Sequence, residues 1–171
     1  MRKVAVIGSS GAIGSAFVDH YINDQSINSI FSFSRSSIGI DNNKVKHFSI
    51  DIENENSVQD AAQSVEEINF DEIIIASGLL HTNEFGPEKS IKDLKADNIL
   101  KVLNVNTVGP AIIGKYFLPL LNKDNKSVMA FLSARVGSIS ENKLGGWYAY
   151  RASKSALNQV IKTFSIELKR T

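Results

Sequence analysis

The segment "VAVIGSSGAIGSAF", Val4–Phe17, joins a β-branched apolar run to a stretch with helical spacing, and three glycines mark the junction. Gly8 follows the run directly, where the chain must turn sharply. The small residues Gly11 and Ala12 leave room for the backbone to approach a pyrophosphate, and Ser10 and Ile13 beside them belong to the same candidate cofactor-binding turn. Gly14 permits a helix to pack closely on a sheet. At a chain's first strand–helix junction such a turn is the expected seat of a dinucleotide, with phosphates on the helix N-terminus. A bare glycine turn is also an ordinary strand–helix link, so the rest of the chain has to support the reading.

Four more β-branched or aromatic runs follow: residues 27–34 "INSIFSFS", 45–50 "VKHFSI", 71–77 "DEIIIAS" and 127–133 "SVMAFLS". Between them lie helical spacings. Ala12, Ala16, Phe17, Tyr21 and Ile22 mark a first helix, and Val58, Ala61, Ala62, Val65 and Ile68 a second. Leu94, Ile99, Val102 and Val105 open a third, "GPAIIGKYFLPLL" at 109–121 a fourth, and residues 148–170 a last one. Strands alternating with helices predict an α/β fold, a doubly wound parallel sheet of Rossmann type with strand order 3-2-1-4-5. With 171 residues the chain is expected to form a single dinucleotide-binding domain.

Composition is that of a globular protein, 43% hydrophobic and 22% charged, with a net charge of +1. That balance gives no electrostatic footprint for nucleic acid. There is no cysteine, so disulfides and thiolate chemistry are excluded. The apolar run Val4–Ile7 is too short for a signal peptide core or a membrane span, and a cytoplasmic location with no membrane partner is expected. No His, Asp or Glu cluster has metal spacing, so no catalytic metal is expected.

The glycine fingerprint calls for a carboxylate about 20 residues on, to bind ribose hydroxyls. Counted from Gly14, that place is Ser34, followed by Arg35 in "FSRSS". An arginine can pair with a 2′-phosphate that an acid would repel, so NADP(H) is favoured over NAD(H). A solvated surface arginine is the plain alternative.

Tyr150 and Lys154 stand four apart, on one face of the last helix. A phenol titrates near 10. An ammonium about 4 Å away, at an effective dielectric near 20, is worth roughly 4 kcal/mol, enough to pull the phenol toward neutral pH. Taken alone, the pair is as ordinary as any surface neighbours.

With "GSSGAIG", "ASGLLH", "NVNTVGP", "LSARVGSI" and "YAYRASK" in this order, the whole chain resembles the short-chain dehydrogenase/reductase family, most closely its C-factor-like and carbonyl-reductase-like branch. The resemblance implies hydride transfer between a nicotinamide cofactor and a small carbonyl or alcohol substrate. Tyr150 would be the acid/base, and Lys154 would tune it and hold the nicotinamide ribose. Asn106 would belong to a proton relay through water. Asp51 and Ile52 would flank the adenine, and Ala76, Ser77 and Gly78 would line the cofactor where the family has Asn-Ala-Gly. A homodimer or homotetramer is implied as well, through the helices at 109–121 and 148–170. Their apolar residues exceed what one sheet face needs.

Two departures from the family stand out. Its catalytic serine, placed by Gly137, falls on Ala134, and alanine cannot donate a hydrogen bond to a carbonyl. Losing such a donor costs on the order of 3–4 kcal/mol of transition-state stabilisation. Ser133 and Ser138 are the candidate replacements. Ser138 is preferred because it lies 150 − 138 = 12 residues before the tyrosine, though either hydroxyl could simply serve a turn. The family also continues beyond "ELKRT" into further strands and a substrate lid. The chain is therefore expected to be C-terminally short, and a nucleotide-binding signalling or sensor protein with little turnover is the alternative reading. His47 reads as a strand residue and His20 as a helix surface residue. His81 is either a loop residue or a neighbour of the substrate mouth, and Trp147 either walls the pocket or packs at the helix start.

Overall fold

The structure, a computed structural model, describes residues 2–37 and 39–170. Five parallel strands form one sheet in the order β3-β2-β1-β4-β5: β1 (Arg2–Ile7), β2 (Ile27–Ser34), β3 (Val45–Ser49), β4 (Glu72–Ile75) and β5 (Val128–Phe131). The expected order and parallel pairing are both present.

By contact the chain divides into two compact units. One comprises Met1–Ser77 and Ile112–Leu132, the other Gly78–Ala111 and Ser133–Thr171.

The first unit holds the sheet. Side chains alternate across the pleat. Ala5, Ile7, Phe31, Phe33, Ile73 and Ile75 face one apolar cluster, closed by Val58, Ala61 and Ala62 of α2 (Glu55–Gln63) and by Ile113 and Phe117. Val4, Val6, Ile27, Ile30 and Ile74 face the other, closed by Val18 and Tyr21 of α1 (Ala12–Asn23). Both faces of the central strands are thus covered, which is why they read as continuous apolar runs. In α1 the buried stripe is Gly14, Val18 and Tyr21, whereas Ala12 and Ala16 point outward. The helix is set by its closest approach to the glycine turn rather than by its alanines. Tyr21 reaches Glu72 on β4 at 2.6 Å, and Glu72 also pairs with Arg2. Asn54 caps α2 by accepting from the backbone N–H groups of Asn56 and Ser57.

The second unit is mainly helical. It contains α3 (Ala96–Leu103), a π turn (Asn104–Val108), the start of α4 (Gly109–Phe117), a short 3-10 turn (Arg135–Gly137) and α5 (Tyr148–Glu167). The third and fourth helices expected separately from the sequence are one unbroken helical run. Pro110 does not start a helix. It has no N–H, so the carbonyl of Asn106 loses its ordinary α-helical donor, and the run widens into the π turn at that place. Among the described residues no helix is long and apolar enough to cross a membrane.

Candidate active site

In the first unit the glycine turn is held tightly by its neighbours. The N–H groups of Gly8 and Ser9 both donate to the Phe33 carbonyl, at 2.8 and 3.2 Å. Buried Ser9 and Ser32 bond to each other at 2.8 Å. Gly8 has φ +86°, and a Cβ there would sit 2.8 Å from the backbone nitrogen of Ser77. A Cβ on Gly14 would collide with the carbonyl oxygen of Gly8. Gly11 occupies the N-cap of α1 and brings no side chain to the helix's free N–H groups. Ser10, Gly11, Ala12 and Ile13 all remain exposed around that end.

The Ser77 hydroxyl is buried and has no hydrogen-bond partner among the described residues. A buried polar group without a partner is costly and calls for a missing ligand or water. Ala76, beside it, packs against the α1-side cluster. Arg35 is exposed just beyond β2. Asp51 is already employed, its carboxylate accepting from Glu53 N–H at 3.1 Å in the turn before α2, and Ile52 packs on the core.

In the second unit Asn106 is fully buried and saturated. Its Oδ1 accepts from Leu79 N–H at 2.6 Å, and its Nδ2 donates to the Leu79 carbonyl at 2.8 Å and to Ser153 Oγ at 3.0 Å. Ser153 passes its own proton to the Tyr150 carbonyl at 2.8 Å, and Thr107 donates to the Ser153 carbonyl. The π turn is thereby stitched to the segment after Gly78 and to the turn of α5 that carries Tyr150. Lys154 is buried at 3% exposure. A Cβ on Gly78 would lie 3.6 Å from both Asn106 Oδ1 and Lys154 Nζ, so Gly78, Asn106 and Lys154 converge.

The electrostatics differ from the sequence expectation. Lys154 Nζ lies 5.7 Å from the centre of the Tyr150 ring. Burial pushes the Tyr150 phenol above its usual value and pushes the Lys154 ammonium below its own. Desolvation, not the neighbouring ammonium, sets the tyrosine in this structure.

The two candidate serines are placed differently. Ser133 donates to Asn158 Oδ1 at 2.7 Å, one turn of α5 beyond Lys154. Ser138 ends the 3-10 turn and has only long contacts, 3.4 Å to Ser140 Oγ and 3.4 Å from Glu141 N–H. Ala134 precedes that turn and shares its backbone, with Gly137 N–H donating to the Ala134 carbonyl. Gly137 is forced small, because a Cβ there would stand 2.9 Å from Lys154. His47 is an exposed residue of β3, and His81 lies on the loop after Gly78.

Three residues of this region carry no periodicity and were not legible in the sequence. Ser153 is one more small residue before a lysine. Glu88 is a loop acid, yet it is buried at 6% and bonds Ala149 N–H at the start of α5. Arg151 looks like a helix-surface cation but donates to the carbonyls of Gly145 and Gly146.

The family described as short chain dehydrogenase matches residues 2–171, almost the whole chain. The protein belongs to the short-chain dehydrogenase family. One relative, the 1-hydroxy-2-glutathionyl-2-methyl-3-butene dehydrogenase of Rhodococcus sp., is 31% identical over 123 residues, 71% of this chain and 51% of that protein. The C-signal protein of Myxococcus xanthus is 31% identical over 80 residues, 47% of this chain and 48% of the other. This short-chain dehydrogenase thus spans about half the length of the curated relatives it matches. Among solved structures, carbonyl reductase Sniffer of D. melanogaster superposes with a TM-score of 0.88 at 23% identity, covering 99% of this chain and 76% of that one. The NADPH-bound carbonyl reductase from chicken fatty liver gives 0.87 at 23% identity, covering 99% and 72%. At that identity the likeness establishes the fold.

Proposed function

We propose that this short-chain dehydrogenase is an NADP(H)-dependent oxidoreductase acting on a small carbonyl or alcohol substrate, with Tyr150 as the acid/base. The observation that carries the reading is the convergence of buried Lys154, saturated Asn106 and Gly78, with Tyr150 one turn before the lysine. Burial disfavours the charged form of Lys154, and sites with such perturbed groups are where chemistry concentrates.

The residues present fit a dinucleotide. The uncapped N-terminus of α1 and the bare turn Gly8–Gly14 suit a pyrophosphate. The orphaned Ser77 hydroxyl is a ready partner, Asp51 and Ile52 would flank the adenine, and Arg35 would meet the 2′-phosphate of NADP(H). In the second unit, Tyr150 and Lys154 are the residues that would hold the nicotinamide ribose. When bound, the cofactor supplies or accepts the hydride at the substrate carbon.

A phenol kept protonated by burial is suited to donate a proton to a carbonyl oxygen. Lys154 N–H groups hold the ribose. The Asn106 carbonyl, which Pro110 cannot pair in the α-helical manner, is the candidate to hold the relay water. Ser138, with its loosely held hydroxyl, is the better candidate for the donor missing at Ala134, and Ser133 the second. The helix at 109–121 does not keep the apolar excess expected of it, since Ile112, Ile113, Tyr116 and Phe117 pack on the sheet core; the apolar side chains left exposed are Leu100 on α3, Val108 in the π turn, Ile166 on α5 and Leu168 just beyond it, and these support a homodimer or homotetramer.

Ala134 also supports a second reading, a nucleotide-binding sensor with little turnover. One set of measurements separates the two. NADPH should raise the melting temperature at lower concentration than NADH does. Tyr150→Phe should keep that shift while reducing aldehyde or ketone reduction by roughly 100- to 10,000-fold. A chain that binds NADPH but reduces no carbonyl, or a Tyr150→Phe variant as fast as the parent, would leave the sensor reading in place.

A further inference from the structure

Three consecutive residues before α5 have positive φ: Gly145 at 65°, Gly146 at 64° and Trp147 at 52°. The glycines adopt this freely. For a bulky residue it is a genuine outlier, held only where the surroundings over-determine it. Those surroundings are specific. Trp147 N–H donates to the Glu88 carbonyl at 2.6 Å. The Glu88 carboxylate accepts from Ala149 N–H at 3.3 Å. Arg151 clamps the turn from the helix side, with Nε to the Gly146 carbonyl at 3.0 Å and Nη2 to the Gly145 carbonyl at 3.2 Å.

Backbone geometry does not explain a tryptophan here. Glycine or asparagine would relieve the φ value, and the residue keeps 39% of its surface exposed. What the indole does contact is Tyr150. The two rings meet edge to face, with centroids 6.2 Å apart and planes at 74°. The loop leading to it is mostly polar but carries two exposed apolar side chains, Ile139 at 83% and Leu144 at 92%.

We propose that the left-handed turn Gly145–Trp147 is a built substrate subsite, in which the strained Trp147 indole takes a flat, aromatic substituent of the carbonyl compound reduced at Tyr150. The assignment of a carbonyl substrate rests on the function proposed above. The subsite rests on the turn itself. Glu88 and Arg151 are positioning residues, since they act only by fixing the indole against the tyrosine.

Trp147 is the only tryptophan of the chain, so its emission reports the subsite directly. In Tyr150→Phe, where turnover is silenced, acetophenone should quench that emission saturably and beyond the collisional quenching of free N-acetyltryptophanamide. Butanone should not. In the parent chain, Trp147→Gly should lower kcat/KM for acetophenone relative to butanone by about tenfold, through KM. Trp147→Phe should keep most of the preference. Quenching no stronger than that of the free amide, or an acetophenone-to-butanone ratio unchanged in Trp147→Gly, overturns the subsite. Saturable quenching with no turnover of either ketone keeps the subsite and removes the hydride-transfer reading. Turnover with an unchanged ratio does the reverse.

Discussion

Lys154 and Tyr150, the proposed reactive pair, occupy one helix turn where burial works against stability. Each is held against its ordinary ionisation by desolvation, the phenol raised and the ammonium lowered. For the lysine the sign is definite. The unfolded chain keeps its proton up to about 10.5, while the folded chain gives it up at lower pH. Between those two values the unfolded state binds more protons, so stability rises with pH. Lys154→Met removes the buried charge and keeps the apolar stem. The variant should lose turnover yet unfold at equal or higher urea concentration at pH 7. Its advantage should shrink as the pH approaches about 10.5. Urea titrations of parent and variant at pH 7 and pH 10 check this. A variant less stable at pH 7 would mean that the ammonium's contacts outweigh its burial. The sequence made the pair visible through its spacing. It gave no measure of burial, so the expected lowering of the tyrosine by its neighbour missed the stronger influence.

Among the elements, the glycine turn was the most legible and the helical run after β4 the least. Gly8, Gly11 and Gly14 do different work, and their surroundings separate them. A Cβ on Gly14 runs into the Gly8 carbonyl, and backbone cannot yield as a side-chain end can. Gly14→Ala should therefore destabilise the chain by about 3 kcal/mol or more. Gly11 has φ −79° and its nearest atom would lie 3.4 Å from a new Cβ, an ordinary contact. Gly11→Ala should unfold within about 0.5 kcal/mol of the parent but bind NADPH more weakly. Urea unfolding and a thermal-shift titration read the two effects apart. A folded, stable Gly14→Ala would show that α1 can slide away from the turn. The π turn was hidden because "GP" is also a helix-start signal. Only the preceding turns of helix show that Pro110 interrupts a run rather than beginning one. Asn106 was visible as a family residue, but its saturation by Leu79 and Ser153 depends on that widened turn. Glu88 and Arg151 were out of reach because their roles lie in backbone contacts with a strained loop, which leave no pattern in composition or period.

At the scale of the whole molecule, the two compact units are stabilised by different means. The first is built on two continuous apolar clusters, with Phe33, Phe70, Phe117 and seven isoleucines among its fully buried side chains. The second has a smaller apolar interior, Val102, Ala149 and Leu157, and depends on a polar keystone, the Asn106 amide with its three short hydrogen bonds. Regions with less apolar burial open at lower free energy. Asn106→Ala strands a backbone N–H and a carbonyl of Leu79 together, which costs about 1–3 kcal/mol for each group left unsatisfied. Native-state hydrogen exchange of this variant should show faster exchange in α3 and in the first half of α5. Amides of β1, β2 and β4 should keep the protection they have in the parent. Tyr150 and Lys154 stand in the segment expected to loosen, so the same variant should lose turnover without losing the sheet. Uniform loss of protection across β1 and α5 alike would mean that the chain opens as one cooperative body, and that the keystone belongs to the stability of the whole fold rather than to the catalytic unit.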